Sequence, residues 1–258
     1  MLQTKIVFFD IDGTLIDMQA KKITPKMLET LHRLQDRGIK ICIATGRSPM
    51  VLPKIDGVAF DAYLTFNGSL CYDRKGVIFS NPIPHKDVVR FIQNAAALGR
   101  PVCVSTRDRL AANGTDTDLT DYFFIANEPV PVADAFDAVC AEDIYQLMLG
   151  CRPKDYPALL DGAPGAKIAA WWDRAVDVIP AGGGKGIGIE KMLAYYGLDK
   201  AEALAFGDGN NDREMLQAVG TGVAMENGSP ELKALADEIC GPVYEDGIYH
   251  YCADKGLI

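Results

Sequence analysis

The sequence predicts an α/β protein: a doubly wound, mainly parallel sheet with a second α/β unit inserted into it. Three observations carry that expectation. Apolar runs such as Ile6 to Phe9 are continuous rather than alternating, as expected of strands buried on both faces of a sheet. These runs alternate with segments of helical periodicity, the order that β-α-β crossovers require. Polar clusters follow the strands directly, at the carboxyl ends where open α/β sheets place their ligands.

The first strand, Ile6 to Phe9, runs into Asp10-Ile-Asp-Gly-Thr14. A helix follows: Thr24-Pro25 supplies an N-cap and a proline at the first helical position, Met27, Leu28, Leu31 and Leu34 form one stripe, and Gly38 sits where a C-cap belongs. Ile39 to Ala44 is the next strand and ends in Thr45-Gly-Arg47. Towards the C-terminus the alternation returns. Lys185 to Tyr196 reads as a helix, Ala203 to Phe206 as a strand, and Gly207 to Asp212 as the loop after it, with Asp212 expected to cap a helix through Val219. Thr221 to Met225 is a short strand, and Ser229-Pro230 repeats the cap signal before a helix expected to carry Leu232, Leu235 and Ile239.

The middle opens with a helical pattern through Val88, Val89, Ile92 and Ala96 and is then dominated by strand-like runs at 102–105, 145–151, 167–172 and 175–179. Prolines 82 and 84 at one end and Gly182 to Gly184 at the other bound it as an insertion. The expected division is a main unit of residues 1–82 and 181–258 and an inserted unit of residues 83–180. In the 167–172 run, Trp171 and Trp172 would point to opposite faces of a strand.

Composition narrows the function. The 258 residues include 35 acidic and 26 basic side chains, a net charge of -9, which disfavours nucleic acid and anionic membranes as partners. No apolar run approaches the ~18 residues of a membrane span, and the apolar run before Asp10 is too short for a signal-peptide core. Seven scattered cysteines with only three histidines argue against zinc and disulfides and for free thiols in a reducing, cytoplasmic setting.

Four clusters carry chemistry. Asp10 and Asp12 are two carboxylates just past a buried strand, costly to hold together unless a cation or a proton separates them. Mg²⁺, which favours carboxylate and phosphate oxygens, answers that need. Thr45-Gly46-Arg47 offers a hydroxyl, an open backbone and a guanidinium, all suited to a phosphoryl group. Lys185 follows three glycines and could neutralise phosphate charge, but Gly186 after it excludes a Walker A loop. Gly207-Asp208-Gly-Asn-Asn-Asp212 adds two more carboxylates and two amides after another buried strand.

In order and placement these clusters resemble the four motifs of the haloacid dehalogenase superfamily. The long gap from 48 to 184 resembles the Cof-like sugar-phosphatase branch, with its large α/β cap. Leu64-Thr-Phe-Asn-Gly68, Val223-Ala-Met225 and Glu245-Asp-Gly247 match further, whereas Glu226-Asn-Gly228 departs from the usual Gly-Asn-Ala and adds a carboxylate. The resemblance implies a Mg²⁺-dependent phosphatase acting on small phosphate monoesters, sugar phosphates among them. Asp10 would be the nucleophile and Asp12 the general acid and base. Asp10, the Asp12 carbonyl and Asp208 would hold Mg²⁺, with Asp212 as an outer or water-mediated partner. Thr45, the Gly46 amide, Lys185 and Asn211 would bind the phosphoryl oxygens. The alternatives are a phosphomutase with a similar cap and a non-catalytic sugar-phosphate-binding regulator. Either way the partner is a small phosphorylated metabolite; substrate and oligomeric state stay open.

Overall fold

A computed structural model describes residues 4–125, 128–170 and 172–258. The chain starts with β1 (Ile6–Phe9), α1 (Pro25–Asp36), β2 (Lys40–Ala44), β3 (Ala62–Thr65), β4 (Leu70–Asp73) and β5 (Gly76–Ser80). Next come α2 (His85–Ala97), β6 (Cys103–Ser105), β7 (Leu110–Ala112), α3 (Thr117–Ile125), α4 (Phe136–Cys140), β8 (Gln146–Gly150), α5 (Tyr156–Leu160), β9 (Ala166–Ala169) and β10 (Ala175–Pro180). The last part holds α6 (Lys185–Tyr196), β11 (Ala203–Gly207), α7 (Arg213–Gln217), β12 (Thr221–Met225), α8 (Pro230–Lys233), β13 (Glu238–Cys240) and α9 (Gly247–Asp254).

Two compact units result: residues 1–47, 53–80 and 184–258 form one, and residues 48–52 and 81–183 the other. The first unit is built on a sheet of order β13-β12-β11-β1-β2-β3-β4-β5. Every pairing from β13 to β3 is parallel, and the β3-β4 and β4-β5 pairings are antiparallel. All four β1 side chains are fully buried, because the sheet is covered on both faces at its centre. Thr24 caps α1 through its side chain, accepting from the Met27 N–H at 3.1 Å. Met27, Leu31 and Leu34 are the buried positions of the predicted stripe.

The second unit has an antiparallel sheet of order β7-β6-β8-β10-β9. Val104, Leu147, Leu149, Val176 and Val178 on one face pack with Val88, Phe91 and Ala95 of α2, while Cys103, Ala112 and Met148 on the other pack with Leu119 and Phe123 of α3. Among the described residues, strands share this unit with four α-helices, of which the sequence predicted only α2. The missed ones are short or, like α3, carry a mixed apolar and acidic pattern without a clean stripe.

Three further expectations are corrected. Strand β9 ends at Ala169, so Trp172 lies in a bend under the Arg174 guanidinium instead of on a strand, and Trp171 is outside the described residues. Helix α7 stops at Gln217 rather than reaching Val219, because the Gly220 N–H returns to the Ala203 carbonyl and draws the chain into β12. Ile239 belongs to β13, not to a helix. After α8 the Asp237 N–H donates to the Gly222 carbonyl and the Gly222 N–H to Asp237 Oδ2, which pins the following residues beside β12.

Candidate active site

The carboxyl ends of the neighbouring strands β1, β2 and β11 carry Asp10, Thr45 and Asp208 on the loops that leave them. Asp10 is held at the end of β1 by its N–H, which donates to the Phe206 carbonyl of β11 at 3.0 Å. Lys185, the first residue of α6, is fully buried, and its ammonium donates to Asp10 Oδ1 at 2.6 Å and to Asp212 Oδ1 at 2.5 Å. Gly184 before it has φ +144°, a backbone conformation that side-chain-bearing residues rarely adopt, so the turn into α6 favours glycine.

Asp212 does not cap α7 with its side chain. Its Oδ2 instead accepts from the backbone N–H groups of Asp208 and Gly209, each at 3.0 Å, and its Oδ1 takes the Lys185 contact. Both oxygens are therefore engaged. Asp208 accepts from the Thr14 hydroxyl at 3.2 Å and lies against Gly13, where a Cβ would come within 2.1 Å of its Oδ2. Gly13 also has φ +85°, a conformation that favours glycine.

Asp10, Asp208 and Asp212 each bring a carboxylate oxygen within 4.8 Å of the others. Burial raises the Asp10 carboxyl well above the ordinary range, Lys185 opposing and Asp212 and Asp208 reinforcing the rise. Burial, then Asp212, pushes Asp208 up to about 7. Burial on its own would lower Lys185, but the charges of Asp10 and Asp212 outweigh it and keep the ammonium protonated. Three carboxylates against one ammonium leave the cluster short of positive charge, and their hard oxygen donors are those that Mg²⁺ takes.

The remaining predicted residues divide into two groups. Thr45, Gly46 and Asn211 come together around Asn67, which the sequence offered only as part of the Leu64-Thr-Phe-Asn-Gly68 match. Asn211 Nδ2 donates to Asn67 Oδ1 at 3.2 Å, and the Asn67 N–H donates to the Thr45 carbonyl at 3.0 Å. Asp12 turns instead to Arg47, whose guanidinium holds both of its oxygens. Arg47, expected beside a phosphoryl group, thus contacts the second aspartate of the motif. The carboxylate of Glu226 is exposed and faces Lys233 at 3.6 Å, whereas the neighbouring Asn227 donates to the Gly13 carbonyl at 2.8 Å.

The sequence model of the haloacid dehalogenase-like hydrolases matches residues 7–252. The chain belongs to that family. It is 34% identical over 260 residues to the candidate phosphatase YkrA of Bacillus subtilis, covering all of both chains. A solved sugar phosphatase of haloacid dehalogenase subclass IIB superposes with a TM-score of 0.88 at 28% identity, over 99% of this chain and 100% of that one. A solved phosphatase of the same superfamily from Bacteroides thetaiotaomicron gives 0.91 at 29% identity, over 99% and 96%. These likenesses support the Cof-like branch, and the chain is a phosphoric monoester hydrolase of the haloacid dehalogenase-like family. Among the described residues, no helix is long and apolar enough to cross a membrane.

Proposed function

We propose that this enzyme is a Mg²⁺-dependent phosphatase that hydrolyses small phosphate monoesters, of the sugar-phosphate class, through an aspartyl phosphate on Asp10. The observation that carries the reading is the cluster of buried Asp10, Lys185 and Asp212 with half-buried Asp208 at adjoining strand ends. The sugar-phosphatase relative supports the substrate class. Seven free, buried cysteines support a cytoplasmic setting.

Asp10 and Asp208, with the main-chain carbonyl of Asp12, would hold the metal. Asp212, its oxygens already taken, would act behind it by fixing Lys185 and the 208–209 backbone. Bound Mg²⁺ supplies positive charge that favours ionised Asp10 and offsets the charge on the phosphoryl oxygens. An Asp10 oxygen attacks phosphorus while the bond to the leaving oxygen breaks, and Asp12 gives that oxygen a proton. Asp12 then takes a proton from the water that attacks the aspartyl phosphate, which releases phosphate and restores Asp10. Thr45, the Gly46 N–H, Lys185 and Asn211 would bind the phosphoryl oxygens, where preorganised donors supply most of the catalysis.

The test is phosphate release with Mg²⁺ over a panel of phosphorylated sugars, sugar alcohols, nucleotides, pyridoxal phosphate and flavin mononucleotide. Release from sugar phosphates above the rest is the expected result. Absence of release from every member rejects the reading, and return of the phosphoryl group to a sugar points to a mutase.

A further inference from the structure

Asn67 has no part in the assignment above, yet its surroundings single it out. It lies in the short turn after β3, is 4% exposed, and has φ 52° and ψ 40°, a left-handed conformation that asparagine tolerates better than most residues. Its amide packs against Gly46: a Cβ on that glycine would sit 3.2 Å from both Asn67 Nδ2 and Asn67 Oδ1. On the other side Asn67 Oδ1 accepts from Asn211 Nδ2, while Asn211 Oδ1 lies towards Gly209. The amide therefore stands between Gly46 and Asn211, two of the groups assigned to phosphoryl oxygens. Asn67 Nδ2 meets no acceptor among the described residues. The Nδ2 atom is not sealed off from solvent, since the enclosed side-chain atoms without a partner among the described residues are Ser48 Oγ and Ser69 Oγ, so an oxygen of a ligand can take the place of water on this donor.

We propose that Asn67 is a further phosphoryl-binding residue. Its Oδ1 turns the Asn211 amide so that the NH₂ end faces Asn67, and its own Nδ2 donates to an oxygen of the phosphoryl group. An anionic oxygen fits because it accepts several hydrogen bonds and gains from each more than a neutral acceptor would. Gly46 matters twice in this arrangement, by offering its N–H and by leaving the space that the Asn67 amide occupies. The inference rests on the phosphatase reading.

Two substitutions separate the two roles. Asn67→Gly keeps a left-handed backbone and removes the amide. Asn67→Asp keeps the shape and an acceptor for Asn211 but loses both donors and adds negative charge. The measurements are kcat and KM for a small phosphate ester with Mg²⁺, and the rise in Tm produced by inorganic phosphate. Asn67→Gly is expected to lower kcat/KM by about 10²-fold and Asn67→Asp by about 10³-fold. Both should lose the phosphate-dependent rise in Tm while the ligand-free Tm stays within about 4 °C of wild type. If either variant has a lower Tm than that, phosphate affinity measured by calorimetry below its melting range decides: lost affinity supports the proposal and retained affinity overturns it. Asn67→Asp within about threefold of wild type would show that orienting Asn211 is the whole role, and Asn67→Gly within about threefold would remove even that; each overturns the proposal. A wild-type protein that neither hydrolyses the ester nor gains stability from phosphate would instead sink the phosphatase reading itself.

Discussion

Arg47 grips Asp12 at two points: Nε donates to Oδ2 at 2.8 Å and Nη2 to Oδ1 at 2.6 Å. Such a bidentate, charge-assisted pair fixes both the position and the plane of a carboxylate. If Asp12 protonates the leaving group, Arg47 controls where that acid stands. Arg47→Gln should then slow an alkyl phosphate by about 10²-fold or more while affecting an aryl phosphate, whose leaving group needs no proton, far less. Equal losses on both esters together with a raised KM would instead mark Arg47 as a phosphate ligand.

Asp10→Asn removes the attacking oxygen's charge and leaves Lys185 a neutral acceptor in place of a carboxylate. Turnover should disappear, and the Lys185 ammonium should stay anchored by Asp212. Asp12→Ala should also fail to turn over but still bind substrate. Circular dichroism and phosphate release measured on the same preparations check both; folded Asp10→Asn with substantial residual hydrolysis removes Asp10 as nucleophile.

The three clustered carboxylates lead to a metal prediction. Exhaustive chelation should abolish activity and Mg²⁺ should restore it. Ca²⁺ should inhibit, because its looser and larger coordination shell misplaces the nucleophile. Asp208→Asn should raise the Mg²⁺ concentration needed for half-maximal rate, and unchanged activity after chelation would argue against a metal here.

In the second unit Arg100, Arg152 and Arg174 all converge on Asp118 at 3.0–3.2 Å. The Arg152 hydrogen bond, followed by that of Arg174, holds the Asp118 carboxyl below its usual range against the opposing effect of burial. A depressed carboxyl stabilises the folded state above its unfolded pKa, about 3.9, and that contribution is lost as pH falls through the lower folded value. Asp118→Asn should therefore cost about 1–3 kcal/mol at neutral pH and progressively less at pH 4 and below. Chemical denaturation of wild type and variant across that range measures it; a gap that does not shrink on acidification contradicts the assignment.

Much of this protein follows from local pattern. The unbroken apolar run at Ile6–Phe9, the Thr24-Pro25 cap, the helix Lys185–Tyr196 and the strand Thr221–Met225 are set by neighbours within a few residues, and the structure has them at the predicted places. The positions of Asp10, Lys185, Asp208 and Asp212 at element ends were legible for the same reason. Which groups meet is another matter. Lys185 and Asp10 are 175 residues apart, and Asn67 and Asn211 144 apart. Only the parallel order β11-β1-β2-β3 brings those loops to a common edge. The sequence alone therefore determined the strand ends and the residue types displayed there. Tertiary structure decided that Arg47 faces Asp12, that the Asp212 side chain anchors Lys185 rather than capping α7, that Asn67 stands beside Gly46, and that Ile239 joins the sheet edge. The physical reason is that a charged or amide side chain takes its partner from whatever backbone the sheet order sets beside it, and no local periodicity encodes that choice.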